Sequence, residues 1–484
     1  MRKVIFLITV LFVLTMFEVK ISHAQWQPDV RLTIDPAPSY TSYTNAWCIA
    51  SNGNSVHAVW YDDRDGNTEI YYKRSTDGGI SWDSDTRLTN NPFFSGYPSV
   101  SVSGTVVHVV WHDTRDGNDE IYYKRSPDGG ISWGTDTRLS FNSANSGNAS
   151  VSASASAVHV VWFDDRDGDL EIYGKSSTDG GISWGAEMRL TNNSAGSVFP
   201  SVSMSGQVVH VVWYDTRDGN DEIYYKRSTN GGVSWGADIR LTNNSAISYN
   251  PSMSVSGLVV HIVWYDNRDG NNEIYHKRST DGGVSWGADT RLTNNSAFSQ
   301  FPSVSVSGSI AHVVWEDNRD GNREIYYKRS TDGGVSWGAD TRLTNSAANS
   351  FLPSVSVSGQ VVHVVWHDFR DGNWEIYYKR DPTGNPVGII NTNSDIPEEF
   401  DLSQNYPNPF NPNTKISFDI PKTGYVRLKI FDCLGREITT LVNEELDPGT
   451  YKVGWDGSNY PSGVYFYTLR AGDYIESKKM ILLK

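Results

Sequence analysis

An aspartate, an arginine and a glutamate recur together at one spacing, Asp-x-Arg-Asp-Gly-(Asn/Asp)-x-Glu, and such a set can do several kinds of chemistry. The first copy is Asp62-Asp-Arg64-Asp65-Gly66-Asn67-Thr68-Glu69. Its leading aspartate returns as Asp113, Asp164, Asp215, Asp266, Asp317 and Asp368, its arginine as Arg115, Arg166, Arg217, Arg268, Arg319 and Arg370, and its glutamate as Glu120 in the second copy. Carboxylate and guanidinium in one short loop can hold an anionic or polyhydroxylated ligand, or pair with each other to brace a tight turn. The loop is also rich in oxygen ligands for calcium. Arg64, however, stands where an Asp-x-Asp-x-Asp-Gly loop would offer one, and no cofactor is expected. Aromatics accompany the frame. The residue after each preceding tryptophan is Tyr61, His112, Phe163, Tyr214, Tyr265, Glu316 or His367, and the residue before the glutamate is Thr68, Asp119, Leu170, Asp221, Asn272, Arg323 or Trp374. Phe93, Phe94, Tyr97, Phe199, Tyr249, Phe301 and Phe351 follow in the connections to the next unit. Rings beside planar hydrogen-bonding groups suit sugar recognition, and equally suit sealing of gaps between units.

The elements that must position these loops are set by a period. Trp60, Trp111, Trp162, Trp213, Trp264, Trp315 and Trp366 stand 51 residues apart. Units of this length, rich in strand formers and too short to bury their own apolar surface, predict an all-β, seven-bladed β-propeller. The second unit reads as four strands around Pro98–Ser103, Val106–Asp113, Glu120–Ser126 and Asp136–Ser140. Connectivity then puts the Asp-Arg-Glu loops and the connections between units on one face. The single histidine of each second strand (His57, His108, His159, His210, His261, His312, His363) reads as structural, because it has no partner motif.

Ser75-Thr-Asp77-Gly-Gly79-Ile-Ser81-Trp82 recurs five more times, with its acid at Asp128, Asp179, Asn230, Asp281 and Asp332. A short carboxylate can accept backbone N–H groups across such a turn, and a glycine permits positive φ. These copies resemble the Asp box (BNR repeat) of sialidases and many other propellers, with Ser81 where that pattern usually has Thr. The resemblance implies a structural turn on the face away from any active site. Sialidases use three arginines, a Tyr-Glu pair and an Asp acid, and usually carry Arg-Ile-Pro near the start. Here there is no Arg-Ile-Pro, the arginines are repeat positions and no unique Tyr-Glu pair stands out, while glycosidase chemistry needs two carboxyls in different environments. A non-catalytic binding or adhesion module for glycan or surface protein is the expectation, with a sialidase-like exo-glycoside hydrolase as the alternative and a structural spacer as a third possibility.

Seven copies of the first three strands meet six Asp boxes. Trp26-Gln-Pro-Asp29-Val-Arg31-Leu32-Thr33 matches Trp82-Asp-Ser-Asp85-Thr-Arg87-Leu88-Thr89, so the N-terminal strand is expected to complete the last blade. Residues 1–24, with a basic start, a short apolar core and Ser22-His23-Ala24, read as a signal peptide. No segment of the mature chain reads as transmembrane. A net charge of −15 argues against nucleic acid. Cys48 and Cys433, the only cysteines, are read as unpaired, and the propeller as a monomer spanning residues 25–386.

Residues 387–400 read as a linker. Asn405-Tyr-Pro-Asn-Pro-Phe-Asn-Pro412, Val426-Arg-Leu-Lys-Ile-Phe-Asp432, Leu434-Gly-Arg-Glu437 and Gly449-Thr-Tyr-Lys-Val-Gly-Trp-Asp-Gly457, within residues 401–484, resemble the type A (Por) C-terminal sorting domain of type IX secretion. Alternating strands there suggest a small immunoglobulin-like β-sandwich. The resemblance implies passage through the outer membrane of a Gram-negative bacterium via the type IX translocon, removal of the tail, and release or attachment at the cell surface. Cys433, where that family usually has an apolar residue, is expected to be a small buried side chain.

Overall fold

The computed structural model describes residues 26–42, 47–382, 390–393, 397–422, 424–446, 448–457 and 460–483, and the segment read as a signal peptide lies outside them. The described residues are strands and turns without a helix. They fall into two compact units that divide between Asn385 and Pro386.

In the first unit the alternation of small and β-branched residues builds seven antiparallel sheets. A complete blade runs Ser95–Ser103, Val106–Asp113, Glu120–Ser126 and Thr137–Arg138, called strands A to D from the inside outward. Each A strand lies beside the A strand of the next blade, and the last, Ser350–Ser358, lies beside Ile49–Asn52 of the first, so the ring closes. Val30–Arg31 is the outer strand of the final sheet, paired with Tyr377–Tyr378.

Two features of the repeat join neighbouring blades. The serines of strand A point across the joint, where Ser99 Oγ accepts Val151 N–H and Ser150 Oγ accepts Val202 N–H, each about one repeat on. The seven period tryptophans are fully buried among Val and Ile of strands A and B. Burial of such a ring removes about 150–250 Å² from water, the largest apolar contribution a single residue can make. His57, His108, His210, His312 and His363 bond a strand C tyrosine hydroxyl in their own blade through Nδ1 at 2.6–2.8 Å. Burial pushes His57 and His108 down to about 4, so they are neutral core groups.

The second unit packs two four-stranded sheets around one core that includes Phe418, Val453, Trp455, Leu428, Ile430, Tyr467 and Leu469. Within the stretch read as a linker, Ile390–Asn393 is a strand paired with Gly449–Asp456. Cys433 departs from expectation. It is exposed, because it sits in the turn that follows the strand Gly424–Asp432.

Candidate functional site

The Asp-Arg-Glu frame folds back on itself. In the second blade Asp113 is fully buried at the end of strand B and accepts from Arg115 N (3.0 Å) and Nε (2.8 Å) through Oδ1. Its Oδ2 accepts from Arg115 Nη2 (2.6 Å), Trp111 Nε1 (3.0 Å) and Ser95 Oγ (2.8 Å). The remaining arm of Arg115, Nη1, reaches Asp136 of strand D at 2.8 Å, and the guanidinium lies 4.2 Å from the centre of the Tyr122 ring. Burial is the largest effect on Asp113 and would raise its pKa. The hydrogen bonds from Arg115, Trp111 and Ser95 outweigh it, and the carboxyl is held below its ordinary range.

The same brace joins Asp62 to Arg64, Asp164 to Arg166, Asp215 to Arg217, Asp266 to Arg268, Asp317 to Arg319 and Asp368 to Arg370. Glu69 and Glu120 are also buried and hold the neighbouring strand D through Arg87 and Arg138. The frame thus ties strands B, C and D at one end of each blade, with both terminal nitrogens of each guanidinium on the chain's own carboxylates. Among the described residues no group of three or more His, Cys, Asp or Glu side chains is disposed to hold a metal.

The Asp77 turn closes the opposite end. Asp77 accepts from Ile80 N, Ser81 N and Ser81 Oγ, and Gly79 N donates to Ser75 Oγ. These bonds, first the Ser81 hydroxyl, hold Asp77 well below the usual carboxylate range. Asp128, Asp179, Asp281 and Asp332 repeat the pattern, and in Asn230 the amide oxygen accepts Ser234 N while Nδ2 donates to Ser234 Oγ. The tryptophan of the turn packs edge-on against the previous blade, Trp82 on Tyr378 and Trp133 on Tyr72 at 4.9 Å. Gly79 is required twice, by φ +83° and because a Cβ there would meet the Tyr378 hydroxyl.

Blade-to-blade variation collects at the inner end of the frame, where strand A begins. A β-bulge interrupts the A strand there in the second to seventh blades, for example between Gly96 and Ser99. The bulged residue has positive φ although it is never glycine: Tyr97, Asn148, Phe199, Asn250, Phe301 and Leu352 lie at φ 48–54°. Left-handed backbone at non-glycine residues costs about 1–3 kcal/mol each and gathers at functional sites.

The bulge turns these side chains toward the residue that follows the period tryptophan. Tyr61 contacts Tyr97 (5.2 Å) and Tyr40 (5.3 Å), and Tyr97 meets His112 (4.7 Å). Farther round, Phe199 stacks on Tyr214, Tyr214 on Tyr249 (4.0 Å), and Tyr265 meets Phe301. Phe351, His367 and Trp374 pack together and join the first group through Tyr40. Tyr40, Tyr61, Tyr97, Phe199, Tyr249, Phe301, Phe351 and Trp374 are all half-buried, packed along one side and open along another. Phe93, by contrast, is largely exposed and stands apart from this band.

One carboxyl breaks the aromatic pattern. Glu316 is buried, with Arg323 Nη1 on its Oε1 and Leu352 N–H on its Oε2 at 3.2 Å. Burial is the dominant effect and pushes its pKa up to about 7, against the pull of Arg323 and the Leu352 amide. Arg323 covers Phe351 at 4.9 Å. Sequence reasoning found most of these residues as variable positions but missed Tyr40, Asn148 and Asn250. Their signal was register: all occupy one or other of the two bulge positions.

Residues 404–483 match the model of the secretion system C-terminal sorting domain. The chain ends in a secretion sorting domain. This tail marks the protein for type IX secretion and a secreted or cell-surface location. No curated protein sequence matches the chain. Among solved structures, the polysaccharide lyase Uly1 aligns with 74% of this chain and 99% of its own at 9% identity and a TM-score of 0.52. The endosialidase of phage phi92 (10% identity, 79% and 71% covered, TM-score 0.47) and the Trypanosoma rangeli sialidase bound to DANA (12%, 82% and 85%, 0.44) are further matches. The likeness to Uly1 concerns the fold alone, an all-β propeller of repeated four-stranded sheets.

Proposed function

We propose that this protein is a type IX cargo of a Gram-negative bacterium whose propeller binds carbohydrate at the aromatic band, without catalysing its cleavage. The observation that carries the reading is the band itself. Half-open rings line a place where the repeats differ strongly, three of them (Tyr97, Phe199 and Phe301) on left-handed backbone, while the frame residues once available for a ligand are spent inside the blades. Such rings take the C–H faces of sugars, and their variety gives each sector of the ring a different contact.

The test is binding of the full chain to a glycan array, repeated with Tyr97→Ala and Trp374→Ala. Each substitution is expected to weaken binding about tenfold, the loss of one aromatic contact of about 1–1.5 kcal/mol. Unchanged binding in both variants would remove the band as the site. For export, a chain ending near Asn393 should accumulate in the periplasm of a type IX host, and equal surface delivery would contradict the reading.

The hydrolase alternative has one supporting observation, Glu316, whose pKa near 7 suits a general acid. A glycosidase also needs a second carboxyl in a different environment, so turnover of a fluorogenic glycoside panel that disappears in Glu316→Gln would establish it.

A further inference from the structure

We propose that the aromatic band takes glycans free of carboxylate and sulfate groups and rejects acidic ones, an inference that rests on the band being the carbohydrate site. A sugar carboxylate that leaves water needs a cation whose charge is not already matched. The brace offers none. Each blade sets four carboxylates against three cations at this end, in the second blade Asp113, Asp116, Glu120 and Asp136 against Arg115, Lys124 and Arg138. The other blades repeat it, with Glu187 for the last aspartate in the third, Asp29 and Arg31 completing the seventh, and Asp35 adding a fifth carboxylate in the first. At least one negative charge per blade is therefore left over around the ring.

The variable positions add to this excess. Asp63 acts on Tyr40 and Tyr61, Asp119 on His112 and Asp221 on Tyr214. Among the described residues at the positions after the period tryptophan and before the frame glutamate, Arg323 is the one cation, and it is already paired with Glu316. Uncharged groups that a neutral sugar could satisfy are present. Asn250, in the bulge of its A strand next to Tyr249, is buried with neither amide atom partnered, and His112 Nδ1 is buried without a partner. Hydroxyls and acetamides can meet such groups by hydrogen bonding, with no charge to compensate.

The experiment is a printed array of neutral, amino-sugar and acidic glycans, probed with the full chain at pH 7.5 in 50 mM and 300 mM salt. Binding is expected on neutral or amino-sugar features and at background on uronate, sialic acid and sulfated features. A neutral ligand should change less than about twofold between the two salts, since no charge is exchanged. The double variant Asp119→Lys with Asp221→Lys should gain about tenfold on acidic features. Acidic glycans bound by the parent chain, weakened by salt and lost in Trp374→Ala, would overturn this inference while leaving the band as the site. Neutral glycans bound equally by the parent, Tyr97→Ala and Trp374→Ala would overturn the band. Absence of binding to every feature would overturn both.

Discussion

The joint between the third and fourth blades lacks a ring that every other joint has, and restoring it should stabilise the protein. Strand C carries Tyr72, Tyr123, Tyr225, His276, Tyr327 and Tyr378 at equivalent positions, and each stacks edge-on against the tryptophan of the following blade. The third blade has Gly174 instead, within the strand Glu171–Ser177. His159 has moved into the vacated space and lies against Gly232, where a tyrosine hydroxyl lies at other joints. A Cβ on Gly174 would meet Leu190, Val160 O and Val161 at 3.4–3.5 Å, ordinary to slightly tight contact, so the backbone admits a side chain there, and the ring of Gly174→Tyr has to displace His159 from the space it fills. Removing a strand glycine contributes about 0.5–1 kcal/mol. A ring pair with Trp235 adds about 0.5–1.5 kcal/mol. A hydroxyl bond to His159 of about 1 kcal/mol offsets the bond that His159 gives up to Gly231. The net gain is about 1–2.5 kcal/mol, roughly 2–4 °C for a unit of this size. Differential scanning calorimetry on Gly174→Tyr, Trp235→Ala and the double variant measures both the gain and its dependence on Trp235. A melting temperature at or below that of the parent, or a gain that survives loss of Trp235, would refute the reasoning.

Trp26, shortly before the strand Val30–Arg31 that completes the last sheet, is buried against Tyr327. Trp26→Ala should cost about 3–5 kcal/mol in chemical denaturation and promote aggregation through the exposed edge. Arg115→Ala removes the partner of buried Asp113. It should cost about 2–4 kcal/mol, discounted from the fully buried case because Arg115 is partly exposed, and should leave glycan affinity per folded molecule unchanged. The third expectation concerns acid. Burial holds His57, His108, His159, His210 and His261 at about 4 in the folded state, below the 6.5 of the unfolded chain. Their depressed values mean the unfolded chain binds protons first. Stability that is full above pH 6.5 is therefore lost as pH falls toward 4, by at most ~1.4 kcal/mol per pH unit for each histidine. A melting temperature flat from pH 7.5 to 4.5 would contradict it.

The period tryptophans, the turn signals and the alternation of Ser and Val in strand A determined the repeated sheets, because strand patterning and turns are local properties of the chain. The tail was legible for the same reason, as a run of motifs within residues 404–483. The chemistry of the Asp-Arg-Glu frame was not. An arginine beside two aspartates reads identically whether it faces a ligand or is stacked on Tyr122 with both arms occupied, and only the return of strand D, which brings Asp136 to Arg115, decided between them. Cys433 was misjudged because a turn exposes what a strand would bury. The aromatic band likewise depends on rings that belong to neighbouring blades, such as Tyr61 with Tyr97 and Phe199 with Tyr249. They meet because strand A of the second to seventh blades bulges into the left-handed region and the blades stand side by side, a proximity set by packing of the ring and by no spacing a single repeat contains.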